Sequence, residues 1–103
     1  MSDLQTVTTQ NTLLGRIASS VALPLVLVAD ADAGSRLDRT RQFEERGYRV
    51  SVARTPFETI VKASCQLPDL IVVDRSLGDA GVSETTELLA TCPATAHIPI
   101  VRV

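Results

Sequence analysis

Short apolar runs alternate with helical patterns through most of the chain. Residues 25–29 form a continuous apolar run that stops at an acidic cluster, and residues 70–73 form a second, more apolar run. Val50 and Val52 alternate with polar neighbours, and residues 100–103 form a last apolar segment. Continuous runs of this length are typical of strands buried on both faces, and alternation is typical of a half-buried strand. The pattern therefore predicts four short β-strands.

Three helical segments separate these strands. The first is predicted from about residue 33 to residue 46 and ends before Gly47, a residue suited to a helix C-terminal cap. The third is predicted near residues 83–90, after a loop that contains glycine. Because strands and helices alternate, we expect a parallel sheet with helices on both faces. Right-handed crossovers restrict this arrangement to a few doubly wound α/β topologies.

The second helix has the clearest predicted start. Thr55 is a good N-cap, Pro56 suits the first helical position, and Glu58 stands where a capping box needs it. Four residues at spacing i, i+3, i+4 and i+7 then predict the face of this helix that packs on the core. They are Phe57, Ile60, Val61 and Ser64.

Three aspartates follow predicted strands. Asp30 and Asp32 come directly after the first strand, and Asp74 comes directly after the third. In doubly wound sheets, ligands and reactive groups collect at the carboxyl ends of the strands. We therefore predict that these carboxylates meet at one edge of the sheet. Without a cation they would repel one another, and the pKa of one of them is then expected to rise.

Composition excludes several classes of protein. The chain has 103 residues, enough for one domain at most, and a net charge of −2, so a strongly basic nucleic-acid-binding surface is not expected. The longest apolar stretch, residues 21–29, contains Pro24 and is shorter than the roughly 20 residues that a membrane-spanning helix needs. Cys65 and Cys92 lack the spacing of a metal site. We expect both to be reduced thiols in a bacterial-type cytoplasm.

Four pieces of sequence occur in a recognisable order and spacing. They are residues 26–32 (VLVADAD), 47–50 (GYRV), 68–74 (PDLIVVD) and 97–101 (HIPIV). As a set they resemble the receiver domain of bacterial response regulators, which act in two-component signalling. The resemblance covers residues 24–103. It implies a flavodoxin-like fold, with a five-stranded parallel sheet in the order 2-1-3-4-5 flanked by five helices.

The resemblance also implies an activity and a set of site residues. Receiver domains accept a phosphoryl group onto an aspartate, with Mg²⁺ bound, from a histidine kinase or a phosphotransfer protein. Asp74 matches the phosphoacceptor, Asp30 matches the first residue of the family's acidic pair, and Ser76 matches the position whose backbone carbonyl coordinates the metal. Mg²⁺ takes oxygen ligands and phosphoryl transfer needs charge neutralisation, so carboxylates at adjacent strand ends suit this chemistry.

The sequence departs from the family at the metal site. Ala31 stands where the family has its main metal-binding aspartate. Asp32 is the candidate substitute, although a one-residue shift at a strand end changes the direction of the side chain. We therefore expect Mg²⁺ binding to be weak or absent. The candidate metal ligands are Asp30, Asp32, Asp74 and Ser76.

Further departures concern the family residues that contact the phosphoryl group and the packing of the first helix. The family's Thr or Ser after strand four and its Lys after strand five would lie beyond Val103, so we expect a truncated receiver without the last strand and helices. Either the chain is a fragment of a longer regulator or it is a naturally short receiver, and Arg102, which would blunt a strand edge, slightly favours the second. Asp38 and Gln42 occupy positions of the first helix that are usually apolar, so this helix is expected to pack weakly or differently.

Residues 1–23 precede the resemblance and form an N-terminal extension that we predict to be partly helical. Its apolar residues are spaced as in a short heptad stripe that includes Asn11, a residue type that sets register in coiled coils. An amphipathic helix here would cover the sheet surface that a missing last helix exposes. One hypothesis is therefore a homodimer, with Leu13, Leu14, Ile17 and Val21 as interface candidates.

Three functions remain open on the sequence alone. The leading hypothesis is a signalling module, not an enzyme, that acts through protein contacts with residual phosphorylation at Asp74. The alternatives are a fragment of a fully phosphorylatable response regulator and a non-phosphorylated pseudo-receiver scaffold. His97 has no Ser or Cys partner at a recognisable spacing, which excludes a nucleophilic triad and favours a surface position. Arg75 and Arg102 are either exposed charges or partners of phosphate oxygens.

Overall fold

The computed structural model describes residues 23–103, which form one four-stranded parallel sheet with helices on both faces. The strands are β1 (Leu25–Ala29), β2 (Arg49–Ala53), β3 (Leu70–Val73) and β4 (Ile100–Arg102). The helices are α1 (Ala33–Glu45), α2 (Pro56–Gln66) and α3 (Asp79–Thr91), and a 3₁₀ turn spans Arg75–Leu77. The sheet order is β2-β1-β3-β4, and each neighbouring pair is parallel. The predicted doubly wound α/β fold is confirmed.

The core lies on both faces of the two central strands, as their continuous apolar runs predict. Alternate residues of a strand point to opposite faces, so β1 and β3 contribute to two separate clusters. The larger cluster packs under α2 and α3 and contains Leu27, Ala29, Ala53, Ala63, Ile71, Val73, Leu89 and Ile98. The smaller one lies under α1 and contains Val26, Val28 and Val72, with Phe43 and Tyr48 packed against it.

Helix α1 packs weakly, in agreement with the polar residues Asp38 and Gln42 on it. None of its residues is buried, and Leu37 is 50% exposed. Its main apolar contact comes from Phe43, whose ring meets that of Tyr48 edge to face with a centroid separation of 5.6 Å. A helix that buries so little apolar surface gains little from the hydrophobic effect.

The helix ends follow the predicted signals with one exception. The Thr55 hydroxyl accepts the N–H of Glu58 at 3.0 Å at the start of α2, and Gly47 follows α1 with a φ of 91°. The prediction that the third helix begins near residue 83 is wrong, because α3 begins at Asp79. An acidic residue in the first turn interacts favourably with the helix dipole and stabilises this earlier start.

The buried face of α2 differs from the predicted one. Its buried residues are Thr59 and Ala63, whereas Phe57 is 78% exposed and Val61 is 42% exposed. Small side chains allow the helix backbone to approach its neighbours closely, and the Thr59 hydroxyl is satisfied by donating to the Thr55 carbonyl at 2.7 Å. Of the predicted face, only Ile60 packs against the core cluster, whereas Phe57, Val61 and Ser64 are exposed.

The described residues bear on two expectations, one about the two cysteines and one about membrane-spanning helices. Cys65 and Cys92 are both free thiols. Between residues 23 and 103, no helix combines the length and the apolar character that crossing a membrane requires.

Candidate functional site

Two aspartates meet at the carboxyl edge of the sheet because their strands are neighbours. Strands β1 and β3 pair with Ala29 opposite Val73, so the next residues, Asp30 and Asp74, reach the same edge. The Asp74 N–H donates to the Ala29 carbonyl at 2.8 Å, which continues the pairing past the strand end. Asp30 is fully buried and Asp74 is 7% exposed. Two acidic side chains are thus held together, out of water.

The carboxyl group of Asp30 is hydrogen-bonded at both oxygens. Its Oδ1 accepts the Ser76 hydroxyl at 2.8 Å and the Asp32 N–H at 2.8 Å. Its Oδ2 accepts the hydroxyl of Ser35, in the first turn of α1. Burying a carboxyl group is unfavourable unless hydrogen bonds replace those it made to water. These three donors stabilise Asp30 in its buried position.

A guanidinium group lies between the two acidic side chains. Arg39 Nη2 donates to Asp74 Oδ1 at 2.7 Å, and Arg39 Nε lies 3.6 Å from Asp30 Oδ2. This Nε is buried and makes no hydrogen bond to the described residues. The Arg39 side chain as a whole is 28% exposed. The site therefore sets one positive charge against two acidic groups.

Sequence reasoning missed Arg39, although the sequence contains a signal for it. Arg39 shares a face of α1 with three other polar residues, because the four stand at i, i+3, i+4 and i+7. The other members are Asp32, Ser35 and Arg36. Arg36 Nη1 also contacts the site, since it donates to the backbone carbonyl of Asp30 at 3.0 Å. A polar stripe directly after an acidic strand end indicates a helix face turned towards that strand end.

The surroundings of Asp74 lower its pKa below the ordinary value for an aspartate. Burial raises the pKa, but hydrogen bonds from Ser76 and the ion pair with Arg39 lower it and outweigh burial. The Ser76 N–H donates to Asp74 Oδ2 at 2.8 Å. The expected rise in pKa from mutual repulsion of the carboxylates is therefore not found at Asp74, because the Ser76 hydrogen bonds and then the Arg39 guanidinium favour its ionised form.

Ser76 connects the two strand ends. Its hydroxyl donates to Asp30 and accepts the N–H of Ala31 at 2.9 Å. It lies in the 3₁₀ turn after β3, and Asp74 caps that turn through the Ser76 N–H. The resemblance assigned a metal-binding role to the Ser76 carbonyl, whereas its contacts with the acidic pair use the hydroxyl and the amide. These contacts fasten the loop after β3 to the end of β1.

The remaining candidate metal ligand, Asp32, serves as the N-cap of α1. Its side chain is exposed, and its Oδ2 accepts the Ser35 N–H at 2.8 Å. Within residues 23–103, no group of three or more Asp, Glu, His or Cys side chains is placed to hold a metal ion. Because the Arg39 guanidinium lies between Asp30 and Asp74, the residues as placed do not fit Mg²⁺.

The other candidates make no ion pair with Asp30 or Asp74 among the described residues. Arg75 and Arg102 line a pocket of about 310 Å³, together with Val73, Asp79 and Val103. His97 is exposed. The four residues predicted as dimer contacts lie outside the described part of the chain. They are Leu13, Leu14, Ile17 and Val21.

Known structures share this arrangement of strands and helices. The N-terminal domain of a response regulator receiver protein from Methanoculleus marisnigri JR1 has a TM-score of 0.73 and 28% identity, over 79% of this chain and 66% of that one. The chemotaxis response regulator CheY4 of Vibrio cholerae has a TM-score of 0.72 and 21% identity, over 79% of this chain and 68% of that one. The anti-anti-sigma factor PhyR from Bartonella quintana has a TM-score of 0.65 and 23% identity, over 88% of this chain and 38% of that one.

No known family model and no curated protein matches the sequence. The structural likeness nevertheless confirms the resemblance to receiver domains, because the fold, the strand order and the acidic strand ends coincide with what it implies. The described residues therefore have the fold of receiver domains. The chain spans 66% of the Methanoculleus domain and 38% of PhyR, so it is shorter than either of these proteins.

Proposed function

We propose that this chain is a receiver-type signalling module of a two-component phosphorelay that acts through protein–protein contacts, with Asp74 as its phosphoacceptor. The observation that carries the proposal is the position of Asp74 at the carboxyl end of β3, beside the buried Asp30 of the neighbouring strand. Ligands of doubly wound sheets bind at this edge. The implied donor is the phosphohistidine of a histidine kinase or of a phosphotransfer protein.

The chemistry requires an ionised carboxylate oxygen that can attack phosphorus. The lowered pKa of Asp74 keeps that group ionised near neutral pH. In the transfer, an Asp74 oxygen bonds to phosphorus while the phosphorus–nitrogen bond breaks, and the imidazole nitrogen leaves with the electron pair and takes up a proton. Arg39 is placed to pair with phosphoryl oxygens, as arginine does in other phosphate sites.

The same contacts slow this transfer. Asp74 Oδ1 is paired with Arg39 at 2.7 Å and Oδ2 accepts the Ser76 N–H at 2.8 Å, so both oxygens are engaged before a donor arrives. Each oxygen keeps a second lone pair, but the donors beside it restrict the approach of a phosphorus atom and reduce the nucleophilicity of that oxygen. We therefore expect slow or incomplete phosphorylation of the wild-type chain.

A second candidate function is a pseudo-receiver that binds partners without being phosphorylated. The observation that favours it is the ion pair between Arg39 and Asp74, which already neutralises the candidate phosphoacceptor. In that case the acidic pair is structural. The activity of a longer, fully phosphorylatable regulator that contains this chain stays a prediction.

The experiment uses a small acyl phosphate, acetyl phosphate, as the phosphoryl donor and intact-mass spectrometry as the readout. We expect the wild-type chain to gain the mass of one phosphoryl group slowly. Asp74→Asn should gain none. Asp38→Asn is the matched control, since Asp38 is exposed on α1 and its replacement should leave the mass gain unchanged. A folded wild-type chain that gains no mass contradicts phosphorylation and favours the pseudo-receiver function.

A further inference from the structure

The positive charge between the two buried acidic groups belongs to the chain itself. Arg39 contacts Asp74 at 2.7 Å and stands 3.6 Å from Asp30, on the side of the site that faces α1. We propose that Arg39 is the resident counter-ion of this site, and that Asp30 and Asp74 take up no divalent cation while its guanidinium is in place. This inference concerns cation binding and does not require Asp74 to be phosphorylated.

The oxygens of the acidic pair are already engaged by donors. Asp74 accepts from Arg39 and from the Ser76 N–H. Asp30 accepts from the Ser76 hydroxyl, the Asp32 N–H and the Ser35 hydroxyl. Mg²⁺ needs free oxygen lone pairs in near-octahedral geometry and gives up its water reluctantly. A cation would have to displace the guanidinium and compete with these donors.

Electrostatics opposes a cation in addition to geometry. Both acidic side chains are nearly or fully buried, so a charge placed between them is poorly screened by water. An arginine guanidinium carries a permanent positive charge in a protein. A divalent ion at Asp30 or Asp74 would therefore meet like charge at close range. Ala31, next to Asp30, offers no additional carboxylate to offset that repulsion.

Arg39 is held in place by the helix that carries it. The N-terminal half of α1 is tied to the same strand end, because the Ser35 hydroxyl donates to the Asp30 carboxyl group and Arg36 donates to the Asp30 carbonyl. The buried Arg39 Nε lies near Asp30 Oδ2. These contacts orient the guanidinium towards the acidic pair, so that it acts as a built-in cation rather than as a mobile surface charge.

Removing the guanidinium should convert the site into one that binds cations. Arg39→Ala leaves two buried acidic groups without a counter-ion, and we expect this variant to bind Mg²⁺ at least about tenfold more tightly than the wild type. The probe is MgCl₂ alone, titrated through the millimolar range without a phosphoryl donor. The readouts are the amide chemical shifts of Ala31, Asp74 and Ser76, and the rise in Tm on adding Mg²⁺. Arg41→Ala is the matched control, because Arg41 is exposed on the same helix.

The expected pattern is saturable shifts in Arg39→Ala and none in the wild type or in Arg41→Ala. Adding Asp74→Asn to Arg39→Ala should abolish the saturable response. Saturable shifts at these amides in the wild type within the millimolar range would overturn the proposal, as would a folded Arg39→Ala that shows no response to Mg²⁺. If Arg39→Ala does not fold, Arg39→Met keeps most of the side-chain stem, and the wild-type titration alone still decides whether the native site binds a cation. The phosphoacceptor proposal is tested separately by the mass gain from acetyl phosphate.

Discussion

The two faces of the sheet are held to their helices by different kinds of contact. Helices α2 and α3 cover a cluster of fully buried apolar residues that includes Leu27, Ile71 and Leu89. Helix α1 covers three buried valines, contributes no buried residue of its own, and reaches the acidic strand ends through Ser35 and Arg39. One face therefore depends mainly on apolar packing, and the other depends to a large extent on a polar network.

The difference places chemistry and stability on separate faces. Apolar burial is the dominant favourable contribution to folding, so the α2 and α3 face should account for most of the free energy of unfolding. Parts of a protein that bind ligands or move are drawn from its less stable regions. Helix α1, which carries Arg39, belongs to that kind of region by its low burial.

The largest expected effect comes from the core under α2 and α3. Leu27→Ala should lower the free energy of unfolding by about 3 kcal/mol, because Leu27 is fully buried and its loss leaves a cavity. Leu37→Ala, on α1 at 50% exposure, should change it by less than about 0.5 kcal/mol. Urea unfolding measures both. Equal effects would show that the two faces do not differ in apolar packing.

The next effect concerns the polar network on the α1 face. Ser35→Ala removes the hydroxyl that donates to Asp30 and should cost about 2 kcal/mol, the value typical of a hydrogen bond to an acidic group. Ser64→Ala on α2 is the matched control, since Ser64 is exposed and the substitution raises helix propensity equally. The difference in urea midpoint between the two variants measures what the hydrogen bond from Ser35 to Asp30 contributes to stability. No difference would mean that this hydrogen bond adds nothing to folding.

The helix caps should have similar, smaller effects on both faces. Asp32 caps α1 by accepting the Ser35 N–H, and Thr55 caps α2 by accepting the Glu58 N–H. Replacing either by Ala should cost about 1 kcal/mol, because capping satisfies local backbone donors wherever the helix packs. Thermal unfolding of Asp32→Ala and Thr55→Ala tests this. A much larger loss in Asp32→Ala would indicate that Asp32 also supports the acidic pair.

The smallest expected effect is on how the free energy of unfolding depends on pH in the acidic range. Asp74 has a lowered pKa, so its contribution to stability is complete above the ordinary aspartate value of 3.8 and is lost as the pH falls through the lower folded value. Asp74→Asn should therefore flatten the fall in urea midpoint in this acidic range. On the other face, the Arg54 N–H lowers the pKa of Glu58, which is more exposed. Glu58→Gln should flatten the fall in urea midpoint less, because the Glu58 carboxylate is more exposed to solvent than that of Asp74. The reverse order would contradict this argument from exposure.

The sequence predicted the parts of the fold that depend on local pattern. Apolar runs, Gly47 and the cap at Thr55 are local features, and each corresponds to an observed strand or helix boundary. The meeting of Asp30 and Asp74 also followed from sequence. Parallel strands end at the same edge of a sheet, and the family strand order places β1 beside β3. Asp32, which was predicted to join them, instead caps α1.

Other features required the assembled structure. The face of α2 that packs inward was decided by Thr59 and Ala63, because close approach of the helix favours small side chains over the larger Phe57. Spacing alone does not show how near a helix comes to its neighbours. The earlier start of α3 likewise depends on the 3₁₀ turn that precedes it.

By itself, the sequence pattern determined a doubly wound sheet with acidic residues at the strand ends, because the periodicity of strands and helices is a local property of the chain. The strand order that makes β1 and β3 neighbours was implied by the resemblance to receiver domains and is seen in the structure. Only the tertiary structure showed that Arg39 neutralises the acidic strand ends. Arg39 and Asp74 are 35 positions apart in the sequence. Their contact exists because α1 begins beside the end of β1 and carries a side chain long enough to reach the end of the neighbouring strand β3.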